Sequence, residues 1–131
     1  MTCWGANDEG QAAGETADLI GTTRAATPAG IVAMSLGDAH TCAIHGTART
    51  LSCWGNDSFG QLGDGTVDAG RRGPTNVAVA LPRGTCSVAA GDRHTCAALT
   101  DGSVFCWGSD GNGQLGGGGD TATPRALALP L

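Results

Sequence analysis

Six cysteines and three histidines carry most of the chemical reach of this 131-residue chain. Four of the cysteines and two of the histidines fall into one arrangement. His40-Thr-Cys42 and His94-Thr-Cys96 each set a histidine and a cysteine two residues apart, on one face of the segment if it is a strand. A second cysteine follows each pair, Cys53 and Cys106. The stretch between Cys96 and Cys106 holds Thr100-Asp-Gly102, a hairpin signal. With a three-residue loop and Gly102 in the left-handed position, Leu99 faces Ser103, and counting outward sets Cys96 opposite Cys106. Facing residues of an antiparallel pair lie about 4.5–5.5 Å apart at Cα, within disulfide reach. The reading is therefore two disulfides, Cys42–Cys53 and Cys96–Cys106, formed in an oxidising compartment. Two alternatives stay open: buried free thiols, or a zinc site of His, Cys and Cys, which lacks a fourth ligand.

The remaining reactive residues point to little. His40 and His94 recur in equivalent positions, so each reads as a ring hydrogen-bonded to neighbouring backbone. His45 reads as a solvated residue of a hairpin loop running from His45 to Thr50. No Gly-x-Ser-x-Gly elbow or nearby Ser, His and Asp set marks a nucleophile. Asp110-Gly-Asn-Gly-Gln114 starts like a calcium loop but has Leu115 at the sixth position and Thr121 at the twelfth, where glycine and glutamate are needed. The glycine run at 116–119 precedes no Lys-Ser/Thr pair, so it is no phosphate cradle. No catalytic residue, metal ligand or cofactor-binding residue is expected, and the chain is not read as an enzyme.

The elements that must hold the cysteines are set by a repeat. Cys-Trp-Gly occurs at Cys3–Gly5, Cys53–Gly55 and Cys106–Gly108, spaced by 50 residues (3 to 53) and 53 (53 to 106). Each opens a longer phrase, ending in Gly-Gln-Leu-Gly at residues 60–63 and 113–116 and loosened to Gly-Gln-Ala-Ala at 10–13. Gly37-Asp-Ala-His-Thr-Cys-Ala43 recurs as Gly91-Asp-Arg-His-Thr-Cys-Ala97. A period of about 40–50 residues is that of propeller blades. Within 74–116, the runs Asn76–Leu81, Cys86–Ala90, His94–Leu99 and Ser103–Trp107 read as four short strands, the number in one blade. The fold class is thus all-β: blades of four short antiparallel strands in an open partial arc. Units of approximately 1–30, 31–84 and 85–131 make up one partial propeller over 1–131. The three tryptophans hold fixed repeat positions and read as blade packing. Cys3 lacks the upstream partner that Cys53 and Cys106 have, and Cys86 aligns with Val32, outside the repeat.

Composition narrows the classes further. A net charge of −5, with seven arginines and no lysine, lacks the basic footprint of a nucleic-acid binder. No apolar stretch approaches the roughly 18 residues of a membrane span. The N-terminus has neither a charged nor an apolar leader region, so no signal peptide is read in this chain.

The combined pattern Gly-x-x-His-Thr-Cys-Ala followed by Gly-x-Val-x-Cys-Trp-Gly-x-Asp/Asn-x-x-Gly-Gln-Leu-Gly resembles the regulator of chromosome condensation repeat. Residues 91–116 match most clearly, 37–63 nearly as well and 3–11 weakly. The resemblance implies a seven-bladed propeller, of which about two and a half repeats are present. The paired cysteines and the absent basic surface resemble the cysteine-bearing, secreted versions found in bacteria. An extracellular or cell-envelope location in the full-length context follows from that resemblance.

The family does not set one function. The leading expectation is a non-catalytic protein–protein interaction module, part of a larger secreted or envelope protein. One alternative is an exchange factor for a small GTPase; another is a truncated remnant with no function of its own. Partners are expected at the loops that differ between copies, 17–24, 45–50, 67–73 and 117–123. Arg71 and Arg72 form the one local basic pair and are the candidate anchor for an acidic protein partner. The open blade edges are expected to drive self-association.

Overall fold

The computed structural model describes residues 2–12, 19–24, 28–68, 77–116 and 119–127. Its ten strands are β1 (Thr2–Gly5), β2 (Leu19–Arg24), β3 (Ile31–Leu36), β4 (His40–His45), β5 (Thr50–Gly55), β6 (Val77–Ala78), β7 (Thr85–Ala90), β8 (His94–Leu99), β9 (Val104–Gly108) and β10 (Thr121–Ala126). They form three antiparallel sheets among the described residues: a leading pair β1–β2, then β3-β4-β5-β6, then β7-β8-β9-β10. Each four-stranded sheet is a meander in chain order, which makes it one propeller blade. The molecule is an open partial arc of such blades.

Turn chemistry sets the register. In the last blade, Leu99 N–H donates to the Ser103 carbonyl at 2.8 Å and Gly102 takes φ +86°, a left-handed conformation natural to glycine. That places Cys96 opposite Cys106. In the preceding blade the hairpin turn occupies 46–49, and Cys42 faces Cys53. This turn is shorter than the sequence suggests, because His45 closes β4 opposite Thr50.

The outer strands depart from the sequence reading. The four strands read within 74–116 belong to two blades: Val77–Ala78 pair with β5, as Ser52↔Ala78 and Cys53↔Val77. The fourth strand of the last blade is Thr121–Ala126, which overlaps a segment read as loop, and β2 likewise overlaps the loop read at 17–24. Outer strands bond on one side only, so a residue without an N–H is tolerated there. Thr-Ala-Thr-Pro-Arg-Ala accordingly carries Pro124, and its register slips between Thr121 and Arg125. The Cys86–Ala90 run lies on an edge strand, with Cys86, Ser87 and Ala89 exposed.

The main core lies between the two complete blades. Cys42, Ile44, Leu51, Cys53, Leu62 and Val79 of one meet Ala97, Leu99 and Trp107 of the other. Trp107 is fully buried; taking an indole of its size out of water stabilises by on the order of 5 kcal/mol. A smaller cluster joins the leading pair to the next blade, with Ala43 and Trp54 packed against Cys3, Ile31 and Met34.

Candidate functional site

The seam between blades is where the repeat's polar residues converge. After each Cys-Trp-Gly, an Asn or Asp side chain caps a turn. Asn7 Oδ1 accepts Ala12 N–H at 2.8 Å, Asp57 Oδ1 accepts Leu62 N–H at 3.0 Å, and Asp110 Oδ1 accepts Leu115 N–H at 2.7 Å. Asp110, the first residue of the segment that falls short of a calcium loop, also takes Gly119 N–H on Oδ2 at 3.2 Å. In the same turn, the glutamine side chain accepts the amide two residues before it, at Glu9, Phe59 and Asn112. This leaves the glutamine main-chain carbonyl aimed across the seam. Gln11 C=O accepts Trp54 Nε1–H at 3.0 Å and Thr41 Oγ1–H at 2.9 Å. Gln61 C=O accepts Trp107 Nε1–H and Thr95 Oγ1–H, both at 2.9 Å.

His40 extends the second set. Its Nε2 lies 2.8 Å from Thr95 Oγ1. The threonine's single hydroxyl hydrogen goes to Gln61, so the ring must donate, which defines the Nε2–H tautomer. Nδ1 is then a bare acceptor, buried with no hydrogen-bond partner among the described residues. Burial, helped by the nearby His94 and only partly opposed by Asp92, lowers the His40 pKa to about 4. The ring is a neutral strut between blades. The sequence reading expected a bond to backbone within its own blade, and the acceptor is instead a hydroxyl of the next one.

The cysteines are bonded in the cross-strand pairs: Cys42–Cys53 with S–S 2.09 Å and Cys96–Cys106 with 2.04 Å, each with Cα atoms 4.1 Å apart. Cys3 and Cys86 are free thiols, half-buried and exposed respectively. His45 is not a solvated loop residue. It lies half-buried with Nε2 2.9 Å from Ser52 Oγ, a diagonal cross-strand pair that no local motif announces. Ser52 is only 4% exposed, so its side of the pair is shielded from solvent.

Arg71 and Arg72 lie outside the described residues. At one rim, Asp38, Asn56, Ser58, Phe59, Asp92 and Arg93 line a polar groove of about 360 Å³ spanning two blades. The Arg93 guanidinium sits 4.9 Å above the Phe59 ring, a cation–π contact that holds the rim arginine in place.

Comparison with known proteins agrees with this architecture. The pattern described as the Regulator of chromosome condensation (RCC1) repeat matches residues 51–98 and 101–130, and a second pattern of that description matches 31–61 and 86–114. The chain belongs to the RCC1 repeat family. Among curated relatives, the E3 ubiquitin-protein ligase MYCBP2 of Danio rerio is 38% identical over 86 residues, covering 66% of this chain and 2% of that protein. The probable human E3 ubiquitin-protein ligase HERC6 is 34% identical over 116 residues, covering 86% of this chain and 11% of that protein. The chain thus spans about a tenth or less of these relatives. Prp20p from Saccharomyces cerevisiae superposes with TM-score 0.83 at 21% identity, over 98% of this chain and 34% of that one. Human WBSCR16 superposes with TM-score 0.79 at 19% identity, over 94% and 33%. At such identities the likeness is one of fold.

Proposed function

We propose that this RCC1 repeat chain is a non-catalytic protein-interaction module, a propeller segment of a larger secreted or envelope protein. It binds a protein partner through its loop rims. The observation that carries the reading is the engagement of its reactive side chains in holding strands within a blade, and blades to one another. His40 is tied to Thr95, four cysteines are paired, and Trp54 and Trp107 are buried with their N–H groups bonded. Arg93, held over Phe59, is one candidate anchor for that partner; the Arg71–Arg72 pair of a segment that differs between copies is the other. The net charge of −5 disfavours nucleic acid as partner, and no cofactor enters the reading. The disulfides favour an oxidising, extracellular or envelope setting. The unpaired sheet edges also make self-association part of the reading.

The test compares wild type with Phe59→Ala/Arg93→Ala and Arg71→Ala/Arg72→Ala in partner capture, alongside hydrolase assays and release of labelled GDP from a small GTPase. Retention by wild type and loss from a rim variant supports the reading. Turnover or GDP release that depends on residues of this chain overturns it. Non-reducing mass spectrometry of the protein from its native compartment should show the loss of four hydrogens; a fully reduced protein there removes the extracellular assignment.

A further inference from the structure

We infer that a cleft on the rim opposite the Arg93 groove binds a carboxylate, the side chain of a glutamate presented by a protein partner. The inference rests on the protein-interaction reading above and deepens it, naming the partner's chemistry and a seat for it.

The cleft, of about 280 Å³, opens between the turn at 46–49 and the start of β7. β4 runs from the Asp38 side of the Arg93 groove to that turn, which sets the two sites at opposite rims. Both blades that form the cleft are four-stranded, so it is internal to the arc. Two arginines reach it. Arg49 holds φ +54°, the one positive value outside glycine among the described residues. Such backbone, carried by a residue with a Cβ, clusters at functional sites. Its side chain is fixed by the next blade: Nε–H donates to the Thr85 carbonyl at 2.7 Å and Nη2–H to the Cys86 carbonyl at 3.1 Å. The other N–H groups of Arg49 find no acceptor among the described residues. Arg83 is freer still. Its Nε stands 3.8 Å from Asp101 Oδ2 in an exposed pair, beyond hydrogen-bond length, and its Nη1 reaches the Pro82 carbonyl only at 3.5 Å. Asp101 is itself engaged through Oδ1 by the Ser103 amide at 3.0 Å and hydroxyl at 2.6 Å.

Thr85 is the independent observation. It lines the cleft, is 1% exposed, and its hydroxyl has no hydrogen-bond partner among the described residues. A buried hydroxyl left unpaired is costly, and an apolar group of the same shape would avoid the cost. The repeat makes that very choice elsewhere. Ile31 opens β3 as Thr85 opens β7, and Ala29 stands where Arg83 does, at the offset that relates Gly37 to Gly91. The hairpin of the last blade, Thr100-Asp-Gly102, has no arginine. Arg49, Arg83 and Thr85 therefore belong to this seam and not to the repeat.

The walls select the ligand. Leu51 and Val79 are buried and Leu81 half-buried along the cleft, giving it an aliphatic side. Guanidinium groups match a carboxylate with paired hydrogen bonds, and the methylene stem of a glutamate suits the aliphatic side. The seated carboxylate accepts from Arg49 and Arg83 and, at the bottom of the cleft, takes the hydroxyl hydrogen of Thr85. In a chain of net charge −5, two arginines converging on one cleft attract an acidic partner locally.

Titration of the isotope-labelled full chain with the blocked peptide acetyl-Gly-Glu-Glu-Gly-amide, followed by NMR, tests this. Its glutamine counterpart, glutarate and inorganic phosphate are the parallel probes. The glutamate peptide should shift the Arg49 Nε–H and Thr85 amide signals, and the glutamine peptide should not. Arg83→Ala and Thr85→Val should each weaken binding at least fivefold, with far-UV circular dichroism unchanged. Thr85→Val should also raise the urea midpoint, since a methyl replaces an unpaired hydroxyl; a threonine kept for the fold would lower it. No shift at Arg49, or equal affinity in both variants, overturns the cleft. Glutarate or phosphate binding as tightly as the peptide overturns the partner glutamate and assigns the site to a free anion. Partner capture that survives Thr85→Val overturns the cleft and leaves the protein-interaction reading standing. A wild type that binds the peptide yet captures no protein overturns that reading, and with it the source of the carboxylate.

Discussion

His40 Nε2 and Thr95 Oγ1 stand 2.8 Å apart across the seam between the two complete blades, and the threonine passes its own hydrogen to the Gln61 carbonyl. The two bonds tie a turn, a strand of one blade and a strand of the next at a single hydroxyl. Thr95→Val keeps the shape and removes the oxygen, leaving the buried His40 N–H without an acceptor. An orphaned buried donor costs about 1–3 kcal/mol. Urea unfolding should show that loss, with the midpoint lowered and the slope unchanged. Thr41→Val, whose hydroxyl serves Gln11 without an imidazole behind it, should cost less.

Protonation of His40 attacks the same seam. Its pKa is lowered from 6.5 to about 4 by burial first and by the neighbouring His94 second. Below pH 6.5 the unfolded chain takes up a proton that the folded chain refuses, so stability is full above that value and falls as pH drops towards about 4. Below that both states are protonated and this contribution is exhausted. The loss amounts to about 3 kcal/mol, since each tenfold drop in proton affinity is worth about 1.4 kcal/mol. Unfolding free energies measured from pH 7 to 4 should follow that slope in wild type and flatten in His40→Gln. Equal slopes in the two proteins would assign the acid sensitivity to other groups.

What could be read in the sequence follows from what residue types can signal. The Cys96–Cys106 register was legible because Thr100-Asp-Gly102 sets a loop length, and a loop length sets every pair outward from it. The repeat phrases likewise revealed the buried roles of Trp54 and Trp107. The acceptor those indoles share was not legible, because it is the main-chain oxygen of Gln11 or Gln61 and every residue owns such an oxygen. The threonine of His-Thr-Cys was overlooked for a related reason: its partner lies 34 residues away in the chain, in another blade. The outer strands β2 and β10 were misplaced because both overlap segments that differ between copies, and Pro124 within β10 reads as a strand breaker. The His45–Ser52 contact is a diagonal across two strands, visible only once the register is known.

The two disulfides should yield to reductant in a set order. Each closes a hairpin of similar length, with separations of 11 and 10 residues, so each contributes about 3 kcal/mol by constraint of the unfolded chain. Access distinguishes them. Cys42 and Cys53 are 0% exposed, sealed on both faces, while Cys96 is half-buried on the open face of the last blade. Thiol–disulfide exchange requires the attacking thiolate to reach a sulfur. Under native conditions at low protein concentration, Cys96–Cys106 should reduce first. Pulsed alkylation and mass spectrometry would show modification at 96 and 106 before 42 and 53; the reverse order, or simultaneous loss, would mean that global unfolding gates both.

Two glycines separate packing from backbone conformation at the blade seam. A Cβ on Gly37 would meet the Gly91 carbonyl oxygen at 2.4 Å and the His40 ring at 2.5 Å. The first contact is backbone of the next blade and the second is a ring already fixed by Thr95, so neither yields cheaply. Gly46 sits at φ +68° in the β4–β5 turn with nothing within 4 Å of its would-be Cβ. Gly46→Ala therefore meets only the left-handed penalty, about 1–2 kcal/mol. Gly37→Ala forces the blades apart and should cost more than about 3 kcal/mol, in the range reserved for severe overpacking. It should also break the His40–Thr95 bond, so that the His40 ring nitrogens titrate nearer the ordinary range in Gly37→Ala and keep their lowered pKa in Gly46→Ala. Imidazole NMR shifts followed against pH would read both effects in one experiment. A Gly37→Ala protein as stable as Gly46→Ala would show that the seam is looser than these distances describe.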